Sequence, residues 1–214
     1  MQHPFLPIEK TAHQPFNSHQ LAVNDYLLIV QPHEDLYNKI MGIKKSFAEK
    51  YDNPMAAFLK PYLTLVKFMQ YEITEKHIIK KIQVIAESSA SFKVDLNGFG
   101  SLPTHTIYIN IQTKNQIINL VKEMKQVQHL LKFDKEHKPH FITDPHISIA
   151  RKLLPWQYEK GWLEYSNTPF SASFMVNNLI LLKRKIGAKG YTVAATFPLL
   201  NKQVAGTTQA MLFL

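Results

Sequence analysis

Apolar positions along this chain recur with two periods, one of about 3.6 and one of 2. An aliphatic run at 26–30, closed by Pro32, predicts a buried strand. Leu36, Ile40, Ile43 and Phe47 follow at helical spacing and predict a helix over 33–51, ended by Asp52-Asn53-Pro54. Residues 53–60 read as a loop and 63–69 as a second strand. Ile78, Ile82, Ile85 and Ala86 predict a helix that Thr74 would cap. Residues 92–96 alternate as a strand, 97–100 read as a turn, and 106–111 as a strand again. Ile117, Leu120, Val121, Met124, Val127 and Leu131 mark one side of a long helix over 115–131. After a Lys- and His-rich loop at 132–138 come a strand near 145–151, a short helix at 155–165, and strands at 174–184 and 191–198.

The predicted order is β-α-β-α-β-β-α-β-α-β-β. Hairpin neighbours mixed with crossovers argue for an α+β fold rather than a doubly wound parallel sheet. Residues 1–24 carry His3, His13 and His19 without a clear period and read as an N-terminal arm. Residues 25–200 read as one domain and 201–214 as a C-terminal tail. Its apolar end, 211–214, is open between a small added strand and a frayed tail.

Composition narrows the classes. With 214 residues the chain is long enough for a substantial core. It has no cysteine, so disulfides and thiolate metal sites are excluded. The formal charge of +9 favours polyanionic partners such as nucleotides or RNA. No apolar run approaches the roughly 20 residues that span a bilayer, and the N-terminus lacks the pattern of a signal peptide. The expectation is a cytoplasmic protein without membrane contact or obligate protein partner, and a monomer.

The candidate chemistry lies in two stretches of one form. In Pro145-His146-Ile147-Ser148-Ile149-Ala150-Arg151, strand alternation puts His146 and Ser148 side by side over an apolar face. Pro61-Tyr62-Leu63-Thr64-Leu65-Val66-Lys67 repeats the form, with Tyr62 standing 84 residues before His146. Each stretch precedes a helix, which suggests an internal duplication. Arg151 suits a phosphate contact, but its odd spacing from His146 needs a bend in the strand. His137 and His140 have the spacing of a helical metal pair, yet Pro139 argues against a helix there. No metal or cofactor is expected. Lys76, Lys80 and Lys81 read as a solvated helix face rather than a steering surface.

The two stretches resemble the H-x-T/S motifs of the 2H phosphoesterase superfamily, the 2′-5′ RNA ligase and cyclic phosphodiesterase group. Phe92 to Leu96 with Gly98-Phe99-Gly100 is similar to the segment between the motifs. Leu179 to Leu182, Gly190-Tyr191 and Phe197-Pro198-Leu199 are similar to the region after them. The resemblance implies a bilobal α+β protein with pseudo-two-fold symmetry, its two antiparallel-rich sheets forming a central cleft flanked by helices. It implies a substrate with a 2′,3′-cyclic phosphate or a 2′-5′ link at an RNA end or in a nucleotide, handled without metal. His146 would transfer protons, while Ser148 and Thr64 hold the phosphate oxygens.

Position 62 departs from that pattern, since the family has histidine there. A tyrosine titrates near 10 and is protonated at neutral pH. Three readings follow: a non-catalytic module that binds RNA ends or nucleotides, an enzyme in which Tyr62 is the acid, or an enzyme in which His105 or His140 replaces the missing ring. The plain expectation is a cleft that binds phosphate and turns over slowly or not at all.

Overall fold

The computed structural model describes residues 22–202, so the arm before residue 22 and the tail from 203 lie outside it. Two antiparallel sheets form the frame. The first has the order β5 (His140–Phe141), β2 (Leu63–Tyr71), β1 (Val23–Val30), β8 (Asn178–Lys185), β9 (Thr192–Pro198). The second runs β6 (His146–Arg151), β4 (Thr106–Ile111), β3 (Phe92–Leu102), β7 (Ser171–Val176). The α+β architecture with two antiparallel sheets is the one the sequence predicts.

The two sheets are built alike, and each borrows from the other half of the chain. β2-β1-β8-β9 and β6-β4-β3-β7 correspond strand for strand. β3, from the first half, therefore lies in the second sheet, and its counterpart β8, from the second half, lies in the first. Helices cross over too. α1 (Glu34–Lys50) packs behind β6, and α4 (Lys114–Met124) behind β2. α3 (Glu75–Ser88) packs against β9, and α6 (Pro155–Tyr165) against β4. One continuous apolar core joins both sheets through Tyr26, Phe47, Ile82, Ile109 and Phe197, all buried.

Several boundaries differ from the sequence reading, each for a local reason. Residues 53–60 hold a short helix, α2 (Pro54–Phe58), because the Asn53 side chain accepts from Ala56 N at 3.1 Å and Pro54 fits the first turn. Asn97 to Gly100 is no turn. β3 runs through it, with Gly98 at φ +63° absorbing an extra residue between Leu96 and Phe99. The strand read at 174–184 is two strands in different sheets, β7 and β8, broken at Asn177. Thr74 does not cap α3; its hydroxyl donates to Tyr71 O at 2.7 Å. The helix read over 115–131 ends at Met124 and passes through a 3₁₀ turn into α5 (Gln128–Leu131).

Candidate functional site

β2 and β6 enter one cleft with the same deformation. In β2, Val66 pairs with Leu28 and Thr64 with Ile29, which leaves Leu65 as an extra residue. In β6, Ala150 pairs with Ile107 and Ser148 with Tyr108, which leaves Ile149 extra. A one-residue bulge resets the in–out alternation. Two adjacent side chains then face the core, Leu65 with Val66 and Ile149 with Ala150, all buried. The next residue turns back to the cleft. In β6 that residue is Arg151, so the bulge supplies the bend it needs. In β2 it is Lys67, which stands 84 residues earlier and is the counterpart of Arg151.

Tyr62, Thr64, His146, Ser148 and Arg151 all line this cleft, whose volume is about 820 Å³. Lys67 joins them. Of the two alternative histidines, His140 lies in the lining, opposite Lys67 across β5 and β2. His105 sits at the β3–β4 turn against Thr106 Oγ1, 2.7 Å away, and is not part of it. His137 is turned to Asp134 at 2.7 Å, so His137 and His140 form no metal pair. Among the described residues no three His, Asp or Glu side chains converge as a metal site. Lys76, Lys80 and Lys81 are exposed on α3 and do not line the cleft. Tyr26 is core, its hydroxyl donating to Glu75 at 2.9 Å.

The His146 ring is held in one orientation. Its Nδ1 lies 2.9 Å from the carbonyl oxygen of Asp144, which can only accept. Nδ1 therefore carries the hydrogen, and Nε2 is the basic nitrogen of the neutral ring. The ring packs on Tyr108 with centroids 4.4 Å apart. Tyr108 in turn crosses Gly100, where an added Cβ would meet the tyrosine ring at 2.6 Å and Asn110 Oδ1 at 2.5 Å. Burial lowers the His146 pKa below its ordinary value; the Asp144 carbonyl and carboxylate oppose this, while the charges of Arg151 and Lys114 add to it. The ring is neutral at pH 7.

Tyr62 is displaced the other way. Burial raises its pKa, and the nearby Arg151 and Arg184 only partly offset that. Its phenol keeps its proton at neutral pH.

Beneath the motif lies a residue that the sequence reading missed. Lys44 of α1 is fully buried, and its Nζ donates to the carbonyls of Ser148 and, at 3.3 Å, of Ile149. The reason lies in the sheet edges. In β2 the bulge carbonyl of Leu65 accepts from Ile142 N at 2.9 Å, beside β5. Among the described residues β6 is an edge strand with no such neighbour, and the Lys44 amine takes the place of the missing amide. Burial, with the charge of Arg151, brings the Lys44 pKa down to about 7. A signal was present, since Lys44 falls on the stripe of α1, four residues from both Ile40 and Ala48.

Known proteins place this geometry. No curated protein sequence matches the chain. Among solved structures, the chain is similar to TT0787 of Thermus thermophilus, at 16% identity and TM-score 0.57, covering 84% of this chain and 100% of that one. It is also similar to E. coli LigT complexed with 3′-AMP, at 17% identity and TM-score 0.58, covering 83% and 98%. LigT complexed with NADP+ gives 16% identity and TM-score 0.56 over the same shares. At such identities the likeness is one of fold. A family model described as the 2′-5′ RNA ligase superfamily matches residues 32–188, which is most of the chain. With the fold and this match in agreement, the chain belongs to the 2′-5′ RNA ligase superfamily, the 2H phosphoesterases.

Proposed function

We propose that this protein binds phosphodiesters at RNA ends or in nucleotides, a 2′,3′-cyclic phosphate or a 2′-5′ link, and turns them over slowly. The observation that carries the reading is the matched pair of bulged strands. Each brings a hydroxyl and a cation to one cleft: Thr64 with Lys67, and Ser148 with Arg151. Hydroxyl and cation donors suit the non-bridging oxygens and the charge that builds on them. The complexes of LigT with 3′-AMP, NADP+ and ATP support nucleotides as the ligand class.

In hydrolysis of a cyclic phosphate, water attacks phosphorus while His146 Nε2 takes its proton. The bond from phosphorus to one ribose oxygen breaks, and that oxygen needs a proton. Tyr62 hydrogen-bonds the phosphate group and is the neighbouring proton source, a weak one because its pKa is raised. No metal takes part in this scheme. The raised Tyr62 pKa also favours a second reading, a binding module without turnover.

Assays on 2′,3′-cyclic nucleotides and 2′-5′ dinucleotides test this, with His146→Ala and Tyr62→His beside the natural protein. Slow turnover abolished by His146→Ala supports the enzyme. Silence in the natural protein with activity gained in Tyr62→His supports the binding module. If neither substitution changes activity or phosphate binding, the reading is wrong.

A further inference from the structure

The cleft carries more positive charge than one phosphodiester requires. Lys60, Lys67, Arg151, Arg184 and Lys189 line it, and among the described residues no carboxylate does. Asp25 on β1 offsets one of these charges by pairing with Arg184 at 2.5 Å. A phosphodiester brings a single negative charge. The surplus marks a ligand with further anionic groups.

Arg184 is where the surplus is organised. It lies on β8, next to β1, and its pairing with Asp25 fixes one edge of the guanidinium. Tyr191 fixes one face, with its ring centroid 4.6 Å from the guanidinium carbon. The β8–β9 turn, with Gly187 at φ +84°, brings Lys189 and Tyr191 to the same part of the cleft. Among the described residues Asp25 is the one acceptor on this guanidinium, and its Nε–H is buried without a partner. A group that served only to join β1 to β8 would have no need to line the cleft with donors to spare.

Register places Arg184 away from the motif hydroxyls. Thr64 is level with Ile29, which is level with Ile180, four residues before Arg184. Two strand spacings across and four residues along separate the Cα atoms of Thr64 and Arg184 by on the order of 15 Å. The Arg184 side chain reaches back towards the motif far enough for its charge to act on the Tyr62 phenol, so the group it meets is a close neighbour of the phosphate between Thr64 and Ser148.

We propose that Arg184, pinned by Asp25 and stacked on Tyr191, is a second anion subsite. It takes the phosphate on the 5′ side of the nucleotide whose 2′- or 3′-phosphate lies between Thr64 and Ser148. This rests on the phosphodiester reading above. The second group is a phosphate in either of two forms, a terminal 5′-monoester or the diester that continues an RNA chain.

Three probes that resist turnover by this chemistry separate the cases: 3′-AMP, adenosine 3′,5′-bisphosphate, and the dinucleotide ApA with a 3′-phosphate. Affinities are measured by titration calorimetry at low salt. The bisphosphate, the dinucleotide or both are expected to bind about tenfold or more tightly than 3′-AMP, as a charge-assisted contact gives. A gain from the bisphosphate assigns a terminal phosphate, and a gain from the dinucleotide alone assigns a continuing chain. In Arg184→Gln the ratio to 3′-AMP is expected to fall to near one. If that variant fails to fold with Asp25 unpaired, Asp25→Asn combined with Arg184→Gln removes both charges and carries the same comparison. Equal binding of all three probes, or a gain that survives loss of Arg184, overturns the subsite and leaves the phosphodiester reading standing. Failure of every probe to bind overturns both.

Discussion

At position 62 a phenol that holds its proton shares a cleft with an imidazole at 146 that is neutral at pH 7. Tyr62→His restores a second group able to exchange protons, and the expected gain in turnover of a 2′,3′-cyclic nucleotide is about 10²–10⁴-fold. The pH profile of the natural protein carries the sign. With His146 as the base of the proposed hydrolysis, acting in its neutral form, the rate is expected to rise with pH through a midpoint below about 6.5 and to be level above it. A rate that instead falls as pH rises through that same midpoint would make His146 the acid. Gly100→Ala tests the support behind the ring. Its Cβ collides with Tyr108, costs about 1–3 kcal/mol, and displaces the His146 resonances in an NMR spectrum. Lys44 has a pH signature of its own. Its pKa is about 7 in the fold against about 10.5 unfolded, so the unfolded chain binds the extra proton between these values. Stability is penalised in full below pH 7 and rises from pH 7 towards 10. Lys44→Met should flatten that rise in urea midpoints. His146, Ser148 and Thr64 were legible because strand alternation is local. Lys44 left only its place on the stripe of α1, because its burial depends on a distant strand whose edge, among the described residues, has no neighbour.

Strands and helices were legible wherever one period ran unbroken, as in α6, whose bounds match the reading. They were lost where a single residue resets the period. Gly98 lets β3 continue through what reads as a turn, and Asn177 divides β7 from β8. The bulges at Leu65 and Ile149 leave a readable trace, two adjacent aliphatic residues between a hydroxyl and a cation. One polar side chain ties the elements around the cleft together. Gln157 of α6 donates to the carbonyls of Tyr51 and Asp52, both at 2.9 Å, and accepts from Leu154 N at 2.9 Å and from Asn53 at 3.2 Å. It joins the helix after the second motif to the corner that leads into the first. Gln157→Ala leaves buried backbone groups unpaired, with an expected loss of roughly 2–4 kcal/mol in urea denaturation. A smaller loss, under about 1 kcal/mol, would mean that water replaces the amide.

At the scale of the whole molecule, the 84-residue offset gave away the duplication but not its exchange of strands. Nothing local distinguishes a strand that stays with its own half from one that crosses. The crossing makes the two halves interdependent. Chains covering 22–103 and 104–202 are each expected to lack a cooperative thermal transition, and their mixture to regain one by circular dichroism. A cooperative transition in either half alone would contradict the exchange.

Strand exchange also sets the order in which the protein is completed during synthesis. Asn24 on β1 pairs with Lys185 on β8, so the first strand meets one of its two neighbours 161 residues later. At about 5–20 residues per second, roughly 8–30 s of translation separate the two. Throughout that interval one edge of β1 offers unpaired backbone groups and aliphatic side chains to other chains. The nascent protein, rather than the finished one, is where this fold is most prone to aggregate, and where a chaperone would have the most to protect.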